Sequence, residues 1–233
     1  MTKRMFRAAF LSLLAVLAIP AAAALAATAA DWTTKVALAR SGGHVMGNPA
    51  APTKVVEYVS YTCSHCAHFV AEGTQPLKTG WVRGGKVSVE VRNAVRDRYD
   101  MTAALLARCG GPARFFGNHE ALFANQDAWM EQLQTYEAAH RQPVPNQTPA
   151  AMFQDIAAST GLIALMTKRG YTPAQLNACL ADKASLATVT AMTDEAWNKV
   201  KIPGTPGFTV NGSLLANTSS WDGLRAALPG GSK

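Results

Sequence analysis

The chain has no second Cys-x-x-Cys beyond residues 63–66 and no histidine pair at ligand spacing. A closed four-ligand zinc site of the usual kind is therefore missing. After residue 26 no stretch approaches the roughly 18 uninterrupted apolar residues of a spanning helix. Clustered basic charge is also lacking. Arg83, Lys86, Arg92, Arg96, Arg98, Lys168 and Arg169 are scattered with acids between them, a pattern that supports solubility and offers no nucleic-acid surface. No repeat follows the N-terminal segment, and no oligomerisation segment is visible, so a monomer is the default expectation.

What is present begins with an export signal. Lys3, Arg4 and Arg7 form a basic start, Phe10–Ala26 is apolar apart from Pro20, and Ala24-Leu25-Ala26 and Ala27-Thr28-Ala29 fit cleavage by an A-x-A pattern. An uncleaved membrane anchor is the alternative; the weakly hydrophobic Ala-rich end favours cleavage. The expectation is a signal over 1–29 and a mature protein in an extracytoplasmic, disulfide-permitting compartment, the periplasm. Of the net charge of +7, three units belong to Lys3, Arg4 and Arg7, leaving +7 − 3 = +4.

Residues 31–53 are rich in Ala, Gly and Pro and read as turns, with Ser41-Gly42-Gly43 and Asn48-Pro49 as markers. A strand is predicted over 54–61, where Val55, Val56, Tyr58 and Val59 supply β-branched and aromatic residues, and a helix from Cys63. Val87–Val91 alternates with strand period. From about Asp100 to Lys199 the pattern is helical: Phe115, Phe116, His119, Leu122 and Phe123 share one helix face. Gln142–Pro149, with its prolines, is a loop. Met152–Met166 reads as one helix ended by Gly170, and Thr172-Pro173 opens the next. Phe208–Val210, Asn211-Gly212 and Leu214-Leu215 form a hairpin, and Ser220 caps a final helix through Leu228. The order β-α-β, helical block, β-β-α fits an α/β sheet with one expanded connection.

Cys63-Ser64-His65-Cys66 sits at the strand-to-helix junction, the arrangement of a dithiol redox site. Sulfurs at i and i+3 share a helix face, and the helix N-terminus favours the Cys63 thiolate. His65, between the cysteines, can donate to or electrostatically favour that thiolate. A bridge so short adds little stability, so electron exchange is its expected use. The competing uses are a static disulfide, or metal binding by Cys63, Cys66 and His68; His68 lies at i+2 from Cys66 and projects elsewhere. His119 reads as a core histidine on an apolar stripe, and His44 and His140 as loop residues. Glu57 is an acid in an apolar strand, either facing water at an edge or buried at a cost. Cys109 and Cys179 lie in helical sequence; in an exported chain with an even cysteine count a structural disulfide is expected, worth on the order of 4 kcal/mol for a loop of about 70 residues.

With these residues in place the chain resembles the DsbA family of periplasmic thiol-disulfide oxidoreductases. The resemblance lies in Gly43–Pro52, in Val56–Phe69 around Cys63-Ser64-His65-Cys66, in Phe115-Phe116 through His119–Gln126, and in Gly204-Thr205-Pro206-Gly207-Phe208. It implies a thioredoxin-like α/β fold with an inserted α-helical subdomain, divided as 30–99, 100–199 and 200–233. It also implies Cys63 as attacking thiolate, Cys66 as resolving thiol, Glu57 as a buried acid serving it, and a cis-proline loop at Thr205-Pro206. Two positions depart from the family's prototype oxidase. Ser64 stands where it has proline, and Thr205 where it has valine, more like the isomerase branch. Both positions tune redox behaviour.

The expected activity is that of a protein-disulfide oxidoreductase, needing no cofactor and no metal, which oxidises exported proteins bearing free thiols. The resemblance implies reoxidation by a quinone-linked membrane partner of the DsbB type. The rivals are a disulfide isomerase or reductase, and a periplasmic copper- or zinc-handling protein using the same thiols.

Overall fold

The computed structural model describes residues 30–140 and 145–231. The expected signal over 1–29 lies outside them, as does the start of the loop expected over 142–149. Among the described residues no single helix is long and apolar enough to cross a membrane.

One six-stranded sheet organises the chain, with β1 (Val36–Leu38), β2 (His44–Gly47), β3 (Thr53–Val59), β4 (Val87–Asn93), β5 (Gly207–Val210) and β6 (Ser213–Leu214). Their spatial order is β1-β2-β4-β3-β5-β6. Only β3 and β4 run parallel, Glu57 facing Val91; β5 closes the other flank of β3 antiparallel, with Phe208 opposite Glu57. The crossover between β3 and β4 is α1 (Ser64–Leu77), extended by a π-helical segment, Lys78–Val82. Between β4 and β5 the described residues form seven helices: α2 (Arg98–Arg108), α3 (Pro112–Ala124), α4 (Gln126–Ala139), α5 (Pro149–Ser159), α6 (Leu162–Lys168), α7 (Pro173–Leu180) and α8 (Lys183–Asp194). The last of these runs on into a π-helical turn, Glu195–Val200, and α9 (Trp221–Ala226) ends the described chain.

The sheet and the helical insertion share one core. Phe69 of α1 packs on Phe208 with ring centroids 4.8 Å apart, and Phe115 of α3 stacks on His44 of β2 at 3.8 Å. Apolar burial through Val55, Val59, Val89, Leu105, Leu106, Leu122, Ile156 and Leu176 is continuous across both parts.

Several elements differ from their sequence expectation. The 31–53 region contains β1 and β2, which pair with each other and with β4. Their alternation spans only three and four residues, too short for a periodic signal to outweigh neighbouring glycines and prolines. β3 ends at Val59 rather than 61, because Ser60 and Tyr61 turn the chain toward the active-site helix. The single helix expected over 152–166 is two, α5 and α6, bent by 74°. Gly161 sits between them at φ 73°, a left-handed conformation that suits glycine. His44 is not a loop residue: it is 2 % exposed on β2, and burial first, then the Arg108 charge, hold its imidazole down at a pKa of about 3. The α7 start carries a full capping box between Thr172 and Gln175, and the β5–β6 turn places Asn211 and Gly212 at positive φ.

Candidate active site

Cys63 is the N-cap of α1 and Cys66 lies in its first turn. The helix begins one residue after the expected start, which leaves the Cys63 side chain at the positive end of the helix dipole. Both thiols are free and buried. The Thr205–Pro206 bond is cis, and this loop lies against the first cysteine: as a thiol, Cys63 Sγ donates to the Thr205 carbonyl oxygen at 3.1 Å. Gly207 follows, where a Cβ would sit 3.0 Å from the Gly204 carbonyl oxygen and 3.1 Å from Ile202, so a side chain there would press on the loop that carries the cis proline.

The two sulfurs are electrostatically unlike. The Cys63 thiol is brought down to a pKa of about 4, chiefly because its thiolate accepts from the Cys66 thiol; the Thr205 side chain and the backbone amides of Cys66 and His65 add to this against the opposing effect of burial. Cys66, fully enclosed, is pushed well up by burial and by its neighbour Cys63. His65 takes part through its backbone amide, and its imidazole is exposed. His68 is also exposed and lies 3.2 Å from Glu72 on its own helix.

Glu57 is in the central strand and 4 % exposed. It is not an edge residue facing water. Its Oε1 is buried without a hydrogen-bond partner, and burial raises its pKa to about 8. At neutral pH the carboxyl therefore carries a proton.

A frame supplied by the helical insertion surrounds these residues. Asp100 of α2 accepts from the Tyr61 amide at 2.7 Å and from the Arg96 amide at 3.1 Å. Arg96 donates to the hydroxyls of Ser60 and Thr62 at 3.0 and 2.9 Å. Gln126 of α4 donates through Nε2 to the carbonyl oxygens of Tyr61 and Cys63 at 2.7 and 3.0 Å. The Tyr61 hydroxyl lies 3.1 Å from Nδ1 of His119. The segment entering Cys63 is thus tied to three helices.

Sequence reasoning missed Asp100 and Arg96 as members of this frame. Asp97 caps α2 through the amides of Tyr99 and Asp100, so an acid in the first turn behind it reads as an ordinary dipole effect. What could have singled out Asp100 is the pair of acids at 97 and 100, since one is enough for the cap. Its partner Tyr61 lies 39 residues away, beyond any local pattern.

Away from the site, Cys109 at the C-terminal end of α2 is bonded to Cys179 in α7, with S–S 2.02 Å and Cα–Cα 5.7 Å. Among the described residues no group of three or more His, Cys, Asp or Glu side chains is placed to hold a metal ion.

Comparison with known proteins agrees with this architecture. A family model described as thioredoxin matches residues 39–229. A Rickettsia typhi protein named as a protein-disulfide oxidoreductase is 30% identical over 189 residues, 80% of this chain and 62% of that one. A Rickettsia bellii protein of the same description is 29% identical over 75% of this chain and 59% of its own length. The chain thus spans about three-fifths of the length of these relatives. Among solved structures, a protein-disulfide isomerase from Novosphingobium aromaticivorans is 43% identical, with TM-score 0.75 over 80% of this chain and 95% of that one. The Wolbachia pipientis protein alpha-DsbA1 is 24% identical, with TM-score 0.55 over 78% of this chain and 79% of that one, and shares the fold. With a family match running through nearly all of the described residues, the chain belongs to the thioredoxin family and has the DsbA-like form of its fold, with an inserted helical domain.

Proposed function

We propose that this protein is a periplasmic thiol-disulfide oxidoreductase that passes its Cys63–Cys66 disulfide to exported proteins with free thiols. The observation that carries this reading is the opposite bias of two neighbouring sulfurs, one held near pKa 4 at a helix N-terminus and the other pushed well up. A thiolate stabilised in the reduced form makes the disulfide a stronger oxidant.

In the forward reaction a substrate thiolate attacks Cys63 Sγ. The Cys63–Cys66 bond breaks, a mixed disulfide forms, and Cys66 leaves as a thiolate that takes the Glu57 proton. A second substrate thiolate then attacks its own sulfur partner in the mixed disulfide, and Cys63 leaves as its stable thiolate. The substrate loses two electrons and the protein gains them. An extended substrate segment would pair with the backbone beside Thr205 and Pro206. Renewed oxidation falls to a quinone-linked membrane partner of the DsbB type. Cys109–Cys179 serves as a structural bridge, and the parts 30–99, 100–199 and 200–233 act as one unit around the site.

An isomerase is the second reading, favoured by Thr205 and by the description of the Novosphingobium protein. The reduction potential of the Cys63–Cys66 couple, equilibrated against glutathione, tests both. An oxidase should poise nearer the roughly −120 mV of strong oxidants. A value near −180 mV would favour isomerisation, and one near −270 mV would overturn oxidant function. Stoichiometric metal in anaerobically purified protein, lost in Cys63→Ala, would instead point to metal handling.

A further inference from the structure

Both active-site sulfurs hang from one turn. Residues Ser60 to Cys63 carry the chain from β3 into α1, and the Ser60 carbonyl oxygen accepts from the Cys63 amide at 3.1 Å. The Ser60 amide donates to Cys66 Sγ, drawing that thiol down against the burial that raises it. In the middle of the turn, the Tyr61 backbone is held by side chains of the helical insertion. Its amide donates to Asp100 at 2.7 Å, and its carbonyl oxygen accepts from Gln126 Nε2 at 2.7 Å. Ser60, Tyr61, Cys66 and Asp100 are all fully enclosed, so bulk water is not at hand to replace a lost partner.

Asp100 is not needed to cap the helix on which it sits. Asp97 already caps α2, accepting from the amides of Tyr99 and Asp100 at 2.9 and 2.8 Å. The Asp100 side chain reaches instead to the turn. Besides the Tyr61 amide it accepts from the Arg96 amide at 3.1 Å and from the Ser60 hydroxyl. Burial pushes this carboxyl up to about 7, and the three donors, which draw it down, offset only part of that effect. A buried carboxyl costs stability that an apolar side chain of similar size would not. What the carboxylate does, and an apolar side chain could not, is hold two consecutive residues of the turn in fixed orientation. The direction of the Ser60 amide follows from theirs.

We propose that Asp100 is a positioning residue for disulfide exchange: by fixing the Ser60–Cys63 turn it keeps the Ser60 amide aimed at Cys66, so that this sulfur can leave as a thiolate. This rests on the reading of Cys63–Cys66 as a disulfide donor. When a thiolate attacks Cys63 Sγ, a mixed disulfide forms there and the Cys63–Cys66 bond breaks, its electron pair going to Cys66. Negative charge then develops on a fully enclosed sulfur, and an amide hydrogen bond already in place meets it without reorganisation. Departure is faster the better the leaving thiolate is stabilised. Asp100 acts through the turn and bonds to neither sulfur. Its effect belongs to the step in which Cys66 departs. The Cys63 thiolate has other partners, namely the Cys66 thiol, Thr205 and the amides of Cys66 and His65.

Two reactions at Cys63 supply the test. In the first, oxidised protein is mixed with excess dithiothreitol and the thiols formed are counted by acid quench and alkylation; Cys66 is the leaving group. In the second, Cys66→Ala protein carries a Cys63–glutathione mixed disulfide, and its cleavage by the same reductant expels no Cys66 thiolate. Each is run with and without the Asp100 substitutions. Asp100→Ala should slow the first reaction about tenfold and leave the second unchanged. Asp100→Asn keeps one oxygen to accept from the Tyr61 amide and should slow the first only about threefold. Thiolate absorbance of reduced Cys63 should keep its midpoint in both variants, which shows a folded site. Where Asp100→Ala loses that midpoint, Asp100→Asn decides by the same split. Equal slowing of both reactions would make Asp100 a purely structural residue, and no slowing of the first would leave Cys66 independent of it; either result overturns the proposal. Failure of the wild-type disulfide to oxidise a reduced test protein would instead overturn the exchange function on which the proposal rests.

Discussion

Cys63 and Cys66 lie three positions apart at the start of one helix, while Cys109 and Cys179 lie 70 apart and join two helices. Cys63 occupies the N-terminal end of α1, where the dipole favours a thiolate; Cys109 occupies the C-terminal end of α2, where it disfavours one. Around the first pair are a peptide loop with a cis proline, a buried acid and an open groove. At Cys109 the partners are structural: its carbonyl oxygen accepts from the Tyr171 hydroxyl at 2.7 Å and from Asn118 Nδ2 at 2.9 Å. The same residue type is thus placed for exchange in one region and for cross-linking in the other. Helix end and sequence separation make the difference.

The sharpest way to break this contrast is to delete each pair. Cys63→Ala should abolish disulfide transfer to a reduced test protein, and Cys66→Ala should accumulate mixed disulfides through Cys63, seen on non-reducing gels. The double substitution Cys109→Ala/Cys179→Ala should keep transfer but lower unfolding stability by about 4 kcal/mol, read from the denaturant midpoint. Peptide mapping after mild reduction should find Cys63 and Cys66 alkylated while Cys109 and Cys179 remain linked. Loss of turnover in the double variant with unchanged stability would reverse the assignment.

A second expectation concerns pH. In the reduced protein Cys63 is depressed from 9.0 to about 4. Its stabilising contribution is present above pH 9 and is lost as pH falls through 4. Glu57 is raised from 4.5 to about 8, so its contribution is present below pH 4.5 and is lost as pH rises through 8. Reduced protein should therefore gain stability over oxidised protein as pH rises from about 4 to about 9. Glu57→Gln should remove a downward slope between about 4.5 and 8 from both redox forms. Denaturant titrations of the two forms across this range measure both slopes; a redox difference that stays flat with pH would remove the thiolate bias.

Smaller effects should separate side chain from backbone at the site. Thr205→Val deletes the side-chain hydrogen bond to the Cys63 thiolate and should raise its midpoint by roughly one pH unit, making the disulfide a weaker oxidant. His65→Ala should change that midpoint less than Thr205→Val does, because the amide of residue 65 remains. Thiolate absorbance against pH ranks the two variants, and the opposite ranking would assign the bias to the imidazole.

Much of the fold was legible because its signals are local. Val55 to Val59, the alternation over Val87–Val91, the Thr172-Pro173 start and the Asn211-Gly212 turn each depend on residues within a few positions. β1 and β2 were illegible because strands of three and four residues owe their existence to pairing partners. The break at Gly161 was hidden because the apolar pattern continues across it into Leu162 and Met166.

The sequence alone determined the Cys-x-x-Cys at a strand-to-helix junction and the β3–α1–β4 order around it, since both follow from short-range periodicity, capping and turn chemistry. Only the tertiary structure decided that Glu57 lies in a central strand with no partner for Oε1, and that Asp100 and Gln126 hold the entrance to Cys63. Burial and charge proximity are properties of residues far apart in the chain. No local pattern encodes them, and they are what separates a reactive thiol from an inert one.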